Sequence, residues 1–201
     1  MGHIYILLGK SASGKDTVAE KVLSDLKERI YPIIPYTTRP IREGEKEGES
    51  YHFVTDHDLE DLDRRGLIIE RRVYQTVAGP WTYFTVDDGN IDLDHRDYLT
   101  IGTLESYQKF AAYFHEDRVL PIYLYVDDGV RLERALKRLR AEKDPNYREL
   151  CRRFLADEED FSEEKLKAAG IEIRIPNENL EDTVAKVEEW IIGEKSLIHK
   201  T

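Results

Sequence analysis

Gly9-Lys10-Ser11-Ala12-Ser13-Gly14-Lys15-Asp16-Thr17 decides how this chain folds. Glycine, four residues and then Gly-Lys is the Walker A spacing, and the flanks are those the spacing needs, a strand before and a helix after. Ile4 to Leu8 is a short apolar run that fits a buried strand. Val18, Val22, Leu23 and Leu26 fall on one face of a helix expected from about Lys15 to Arg29. Glycines let successive backbone N–H groups turn inward around a phosphate, and the positive end of the following helix faces the same anion. Gly9, Ser11, Ala12, Ser13, Gly14, Lys15, Asp16 and Thr17 are therefore the expected cradle for ATP. Lys15 is the candidate catalytic cation, bridging the β- and γ-phosphates and following charge as it develops in phosphoryl transfer. Ser or Thr normally follows that lysine and binds Mg²⁺ through its hydroxyl. Here Asp16 stands in that place. A carboxylate is a Mg²⁺ ligand, which makes Asp16 the candidate metal residue, and an acid in the first helical turn also suits the dipole.

Outward from the loop, strand and helix patterns alternate. Tyr31 to Tyr36 reads as a second strand limited by Pro32 and Pro35, and Tyr98 to Ile101, Leu120 to Val126 and Ile171 to Ile175 read as further strands. Helices are expected over about Leu104 to Phe114, through Val130, Leu132, Leu136 and Leu139, from the Asp144-Pro145-Asn146 break to about Ala169, and through Leu180, Val184, Val187 and Ile191. Residues 37–92 differ, being rich in glycine, charge and aromatics, with strand-like runs at Tyr51 to Thr55, Leu67 to Tyr74 and Tyr83 to Val86. The fold class is α/β: a parallel sheet of the P-loop NTPase type covered by helices on both faces, with an inserted, mostly β subdomain. The core takes about 1–36 and 97–201. Ligands of such sheets bind at the carboxyl ends of the strands.

The chain has 201 residues, enough for one such domain, and its 41 acidic against 30 Lys and Arg residues give a net charge of −11. A broad acidic surface repels nucleic acid and anionic membranes, so neither is an expected partner, and an anionic ligand must be held by a local cation cluster. A single cysteine, Cys151, excludes an intramolecular disulfide. Met1 to Leu8 is too short for a signal-peptide core and no run approaches a membrane span, so a cytoplasmic protein is expected, monomer or homodimer. The histidines and Cys151 show no metal-ligand spacing. Asp127-Asp128 reads as a helix start.

Tyr36-Thr37-Thr38-Arg39-Pro40-Ile41-Arg42-Glu43-Gly44-Glu45, followed by Gly48, Tyr51 and Phe53, resembles the guanylate kinase family in residue types and in spacing from the loop. The resemblance implies that Arg39, Arg42 and Tyr51 hold the phosphate of GMP, and that Glu70 accepts hydrogen bonds from the N1 and N2 edge of guanine. Arginine forks and a phenolic donor suit phosphate oxygens, and a carboxylate favours guanine because adenine has no N1–H. Three places depart from the family. Pro35 stands where the family has a serine that touches the base. The family's Tyr-Tyr-Gly-Ser/Thr run corresponds to Tyr74-Gln75-Thr76-Val77-Ala78-Gly79-Pro80-Trp81-Thr82-Tyr83-Phe84-Thr85 in a register left open between Gly79 and Tyr83. Tyr98 to Thr103 lacks the family's strand-end aspartate.

The family also closes a helical lid over the transferring group. The resemblance places that lid at about 138–155 and matches its arginines to Arg134, Arg138 and Arg153, with Arg140 as a register alternative and Arg152 adjacent. Arg134 and Arg138 are one turn apart and share a helix face. Asn177 matches an asparagine near the adenine. The implied activity is ATP·Mg²⁺-dependent phosphorylation of a nucleoside monophosphate, GMP or dGMP. The alternatives are a kinase for another phosphorylated small molecule and a non-catalytic module that binds a phosphorylated ligand.

Overall fold

The computed structural model describes residues 1–42, 44–76 and 79–198. Glu43 of the arginine motif and Val77-Ala78 of the segment with open register lie outside these residues. In chain order the elements are β1 (Ile4–Leu8), α1 (Lys15–Asp25), β2 (Ile30–Pro32), β3 (Tyr36–Thr37), β4 (His52–Phe53), α2 (Asp56–Arg64), β5 (Ile68–Thr76) and β6 (Gly79–Val86). They continue with β7 (Asp97–Gly102), α3 (Leu104–Phe114), a 3₁₀ turn at Glu116–Arg118, β8 (Val119–Tyr125), α4 (Asp128–Arg140), α5 (Tyr147–Asp160), α6 (Glu163–Ala168), β9 (Arg174–Pro176) and α7 (Leu180–Ile198).

A five-stranded parallel sheet in the order β2-β7-β1-β8-β9 forms the core. β1 lies at its centre with every residue buried, which is why its sequence is continuously apolar rather than alternating. Ile4, Ile6 and Leu8 face one layer, packed with Leu104, Phe110 and Ala111 of α3 and with Phe161 and Leu166. Tyr5 and Leu7 face the other, packed with Val18 and Val22 of α1 and Val184, Val187 and Ile191 of α7. Among the described residues no helix is long and apolar enough to cross a membrane.

A second sheet, ordered β4-β3-β6-β5, is built from the segment that follows β2. Its β5–β6 and β3–β6 pairs are antiparallel and its β3–β4 pair is parallel. The strand expected over Tyr31 to Tyr36 is two strands in two sheets. Pro32 and Pro35 bring no N–H to a ladder, and the chain changes sheets between them. The helix expected to reach Arg29 ends at Asp25, where Leu26 leaves helical dihedrals and its carbonyl accepts from Arg29 and Ile30.

The charged helix expected to run to Ala169 is interrupted at Phe161-Ser162. Phe161 turns into the core, 5% exposed and stacked on Tyr123, and Ser162 begins α6. The last strand lies at Arg174–Pro176 rather than Ile171 to Ile175. α2 has no buried residue, with Leu59 and Leu62 only half-buried, and its N-terminus is marked by the Thr55–Asp58 capping box.

Phe84 anchors the small sheet from the face that carries Tyr36, fully buried with its ring 5.5 Å from that of Tyr36. Phe84→Ala is expected to cost about 3–5 kcal/mol in urea denaturation. A loss under about 1 kcal/mol would mean that this sheet does not depend on its packed face.

Candidate active site

The loop between β1 and α1 closes because two of its positions have no room for a side chain. A Cβ on Gly9 would lie 2.7 Å from both the Leu124 carbonyl oxygen and Ser13 Oγ. Gly14 sits at φ +84°, and a Cβ there would lie 2.6 Å from Asn177 Nδ2. Asn177, buried just after β9, ties the loop to the sheet. Its Nδ2 donates to the Ser13 carbonyl at 2.7 Å and its backbone N–H donates to the Tyr125 carbonyl at the end of β8 at 2.9 Å. Three strand ends therefore converge on the loop.

Lys15 opens α1 with its side chain only 19% exposed. Burial pushes its amine below the usual lysine range; Asp16 and Asp157 pull against that, and Arg153 and Arg138 add to it. The two arginines from the α4–α5 hairpin thus lie within electrostatic reach of Lys15. Arg153 Nη2 donates to Ser11 Oγ at 3.3 Å, and Arg134 Nη2 donates to the Asn177 carbonyl at 3.2 Å. Arg134, Arg138 and Arg153 come together around the loop. Arg152 instead pairs with Glu149 on the exposed side of α5, at 2.7 Å, and Arg140 is exposed in the last turn of α4.

Arg131, which the sequence reading passed over, is the most deeply placed cation of this hairpin at 2% exposure. It pairs with Asp128, with Asp157 and Glu158 at 3.1 Å each, and donates from Nε to the Ser11 carbonyl at 3.1 Å. Its guanidinium lies 4.9 Å from the Phe154 ring centre. Asp157 also accepts the Ser11 backbone N–H at 2.7 Å, and Glu158 pairs with Lys10. The apolar stripe expected on α4 is only partly buried: Val130 and Leu132 are 39% and 38% exposed, while Arg131 between them is sealed by its partners. The legible signal was Asp128 three residues before Arg131, a pair on one helix face.

The second half of the site is one face of the small sheet. Residues directly opposed in a ladder share a face, and the register opposes Glu70 to Thr85, Arg72 to Tyr83, Tyr74 to Trp81 and Thr37 to Tyr83. This pairing puts Tyr83 and Thr85 on the same face as Glu70 and Arg72, with Phe84 between them on the other. Arg39 is buried at 3% exposure and makes a two-pronged pair with Glu45 at 2.7 and 3.0 Å. Its Nε donates to the Tyr83 hydroxyl at 3.0 Å, and its guanidinium lies 5.4 Å from the Tyr51 ring centre. Arg42 is exposed, 5.8 Å from the Trp81 ring centre. Burial pushes the Tyr51 phenol up, as does the neighbouring Tyr83, while Arg39 and Arg72 pull against it. Glu70 is buried and accepts from Thr85 Oγ1 at 3.0 Å and from Arg72 Nε at 3.2 Å. Beyond this face, Arg72, Tyr74, Thr103, Leu104, Glu105 and Gln108 help line a cleft of about 650 Å³.

Asp16 is exposed, with its carboxylate 3.9 Å from Lys15 Nζ. Among the described residues no cluster of three or more His, Cys, Asp or Glu can hold a metal ion by itself. One carboxylate beside a phosphate cradle fits Mg²⁺, which keeps its waters and takes one or two carboxylates plus substrate phosphates.

The guanylate kinase family model matches residues 1–80. The guanylate kinase of Anaplasma phagocytophilum (strain HZ) is 30% identical over 204 residues, covering 97% of this chain and 88% of that protein. The guanylate kinase of Paraburkholderia xenovorans (strain LB400) is 26% identical over 199 residues, covering 97% and 81%. The crystal structure of guanylate kinase from Anaplasma phagocytophilum superposes with a TM-score of 0.67 at 23% identity, over 96% of this chain and 86% of that one.

The Arg39–Glu45 pair yields a pH signature. The Arg39 hydrogen bonds hold the Glu45 carboxyl below its ordinary 4.5. A lowered folded pKa contributes stability that is fully present above the unfolded value and is lost as pH falls through the folded one. Thermal melts are expected to show the unmodified protein more stable than Glu45→Gln near neutrality, with the gap closing in acid below pH 4.5. A gap that persists unchanged to strongly acidic pH would contradict the ion-pair account.

Proposed function

This chain belongs to the guanylate kinase family, and on that premise we propose that it transfers the γ-phosphoryl group of ATP to GMP or dGMP. The observation that carries the acceptor assignment is the shared sheet face: the buried Glu70 carboxylate lies on the same face as the Arg39, Tyr51 and Tyr83 cluster. A nucleotide spans such a pair of features, with its phosphate on the cations and phenols and its base against the acid. Guanine offers N1–H and N2–H to a carboxylate, and adenine has no N1–H.

Arg39 spends Nε on Tyr83 and most of its remaining donors on Glu45 and the Pro40 carbonyl. It therefore serves the acceptor phosphate through one Nη2 hydrogen and by polarising the Tyr83 hydroxyl, whose own hydrogen is left to donate to the ligand. Arg42 and Tyr51 complete the anion site. On the other side, the loop from Gly9 through Ser11, Ala12, Ser13 and Gly14 to Thr17 holds the ATP phosphates, with Arg134 and Asn177 on the adenine side. An acceptor phosphate oxygen attacks the γ-phosphorus, the bond to the β-bridging oxygen breaks, and ADP leaves with the electron pair. The nucleophile is already anionic, so no strong general base is required.

Lys15, Arg138 and Arg153 stabilise the charge of the transferring group, and the α4–α5 hairpin acts as the lid that excludes water and so discourages hydrolysis. Asp16 is the side chain that would hold Mg²⁺, and the ion would supply charge neutralisation to the phosphates when bound.

The test is ADP release from ATP·Mg²⁺ with GMP, dGMP, AMP, CMP, UMP and dTMP. Turnover is expected with GMP or dGMP, falling at least about 100-fold in Lys15→Ala. Turnover only with another base would overturn the guanine assignment, and none with any acceptor would favour a phospho-ligand binding role. Asp16→Ser is expected to raise the Mg²⁺ concentration needed for half-maximal rate. An unchanged Mg²⁺ dependence would remove Asp16 from the metal site.

A further inference from the structure

Glu70 does not stand alone on its face of the sheet. Arg72 lies two residues along β5 on the same face, and donates to Glu70 from Nε at 3.2 Å and from Nη2 at 3.5 Å. The acid is sealed, with its side chain 2% exposed, while the arginine reaches outward at 27%. Arg72 lines the cleft of about 650 Å³, and its Nη1 has no hydrogen-bond partner among the described residues. The sheet therefore offers a ligand two kinds of group side by side: a buried acceptor, and next to it a partly exposed fork of donors.

That pairing matches one base edge in particular. Guanine carries donors at N1 and N2 and, adjoining them, the acceptors O6 and N7. Arginine is the side chain that most often reads O6 and N7. Adenine puts an amino group in place of O6, and a cation there repels it. Pro35, which stands where the family has a serine that touches the base, brings no side-chain donor. On the floor of the site, Thr85 spends its hydroxyl hydrogen on Glu70.

We propose that Arg72 is a specificity-determining residue of the acceptor site, donating from Nη1 to the O6 and N7 edge of guanine while Glu70 accepts from N1–H and N2–H. This deepens the reading of GMP or dGMP as acceptor and rests on it. Because Arg72 is partly exposed and lies within electrostatic reach of Tyr51, a contact with the acceptor phosphate is the competing role, and the two roles differ in their dependence on the base.

The experiment measures kcat/KM of the unmodified protein and of Arg72→Met with GMP, 7-deaza-GMP and 6-thio-GMP. The first analogue removes the N7 acceptor and the second weakens the acceptor at position 6. The unmodified protein is expected to lose about 10-fold with each analogue, and Arg72→Met about 10- to 100-fold with GMP. In the variant the three acceptors are expected to converge, because the group that told them apart is gone. An equal loss on all three acceptors would assign Arg72 to the phosphate or to the support of Glu70 and overturn the proposal. Should the variant fail to fold, the unmodified protein decides: equal use of GMP and both analogues overturns it. Failure of the unmodified protein to use GMP at all is a different result, which brings down the acceptor assignment itself.

Discussion

A phosphate cradle made of backbone has to be closed by something other than the phosphate, and in this protein the closure is made by space and by hydrogen bonds. Gly9 and Gly14 leave out the side chains that would strike the Leu124 carbonyl and Asn177, and Asn177 fastens Ser13 to the end of the sheet. β1 can present the loop at a fixed height because both its neighbours are parallel strands in register and both its faces are packed. The buried strand, the tight turn and the helix start are one device, with the sheet as its base.

Around that device the electrostatics are arranged in layers. Lys15 is partly desolvated, a cost that nearby Asp16 and Asp157 offset only in part. Arg131 is buried more completely, which is tolerable only because its donors meet Asp128, Asp157, Glu158 and the Ser11 carbonyl. The same two acids of α5 hold Ser11 N–H and Lys10, so the hairpin that carries Arg138 and Arg153 is tied to the loop it serves. While Asp157 holds the Ser11 N–H, that one donor of the loop is engaged by a carboxylate of the protein's own. On the small sheet Glu45 fills the equivalent place for Arg39.

Much of this was legible in the sequence because backbone constraints write short local signatures. The loop glycines, the apolar strand before them and the arginine motif are of that kind, and the structure gathers Lys15, Arg134, Arg138, Arg153 and Asn177 at one strand-end region. What stayed hidden depends on pairing between strands or on charge in place of a core. Tyr83 and Thr85 join the face that carries Glu70 and Arg72 only through the β5–β6 register, which no single segment encodes. Arg131 looked like one more charge on a charged helix, and its burial depends on acids 26 and 27 residues away in another helix. Pro32 and Pro35 were read as limits of one strand when they mark the passage between two sheets.

The account stands on direct transfer between two nucleotides held on facing halves of one site. The most direct measurement is ³¹P NMR of the protein with ATP·Mg²⁺ and GMP in equal amounts. The account predicts that the ATP γ signal falls while the β signals of ADP and GDP rise one for one, with no inorganic phosphate ahead of them. Loss of ATP into inorganic phosphate with GMP left unchanged, or no change in any signal, would contradict it.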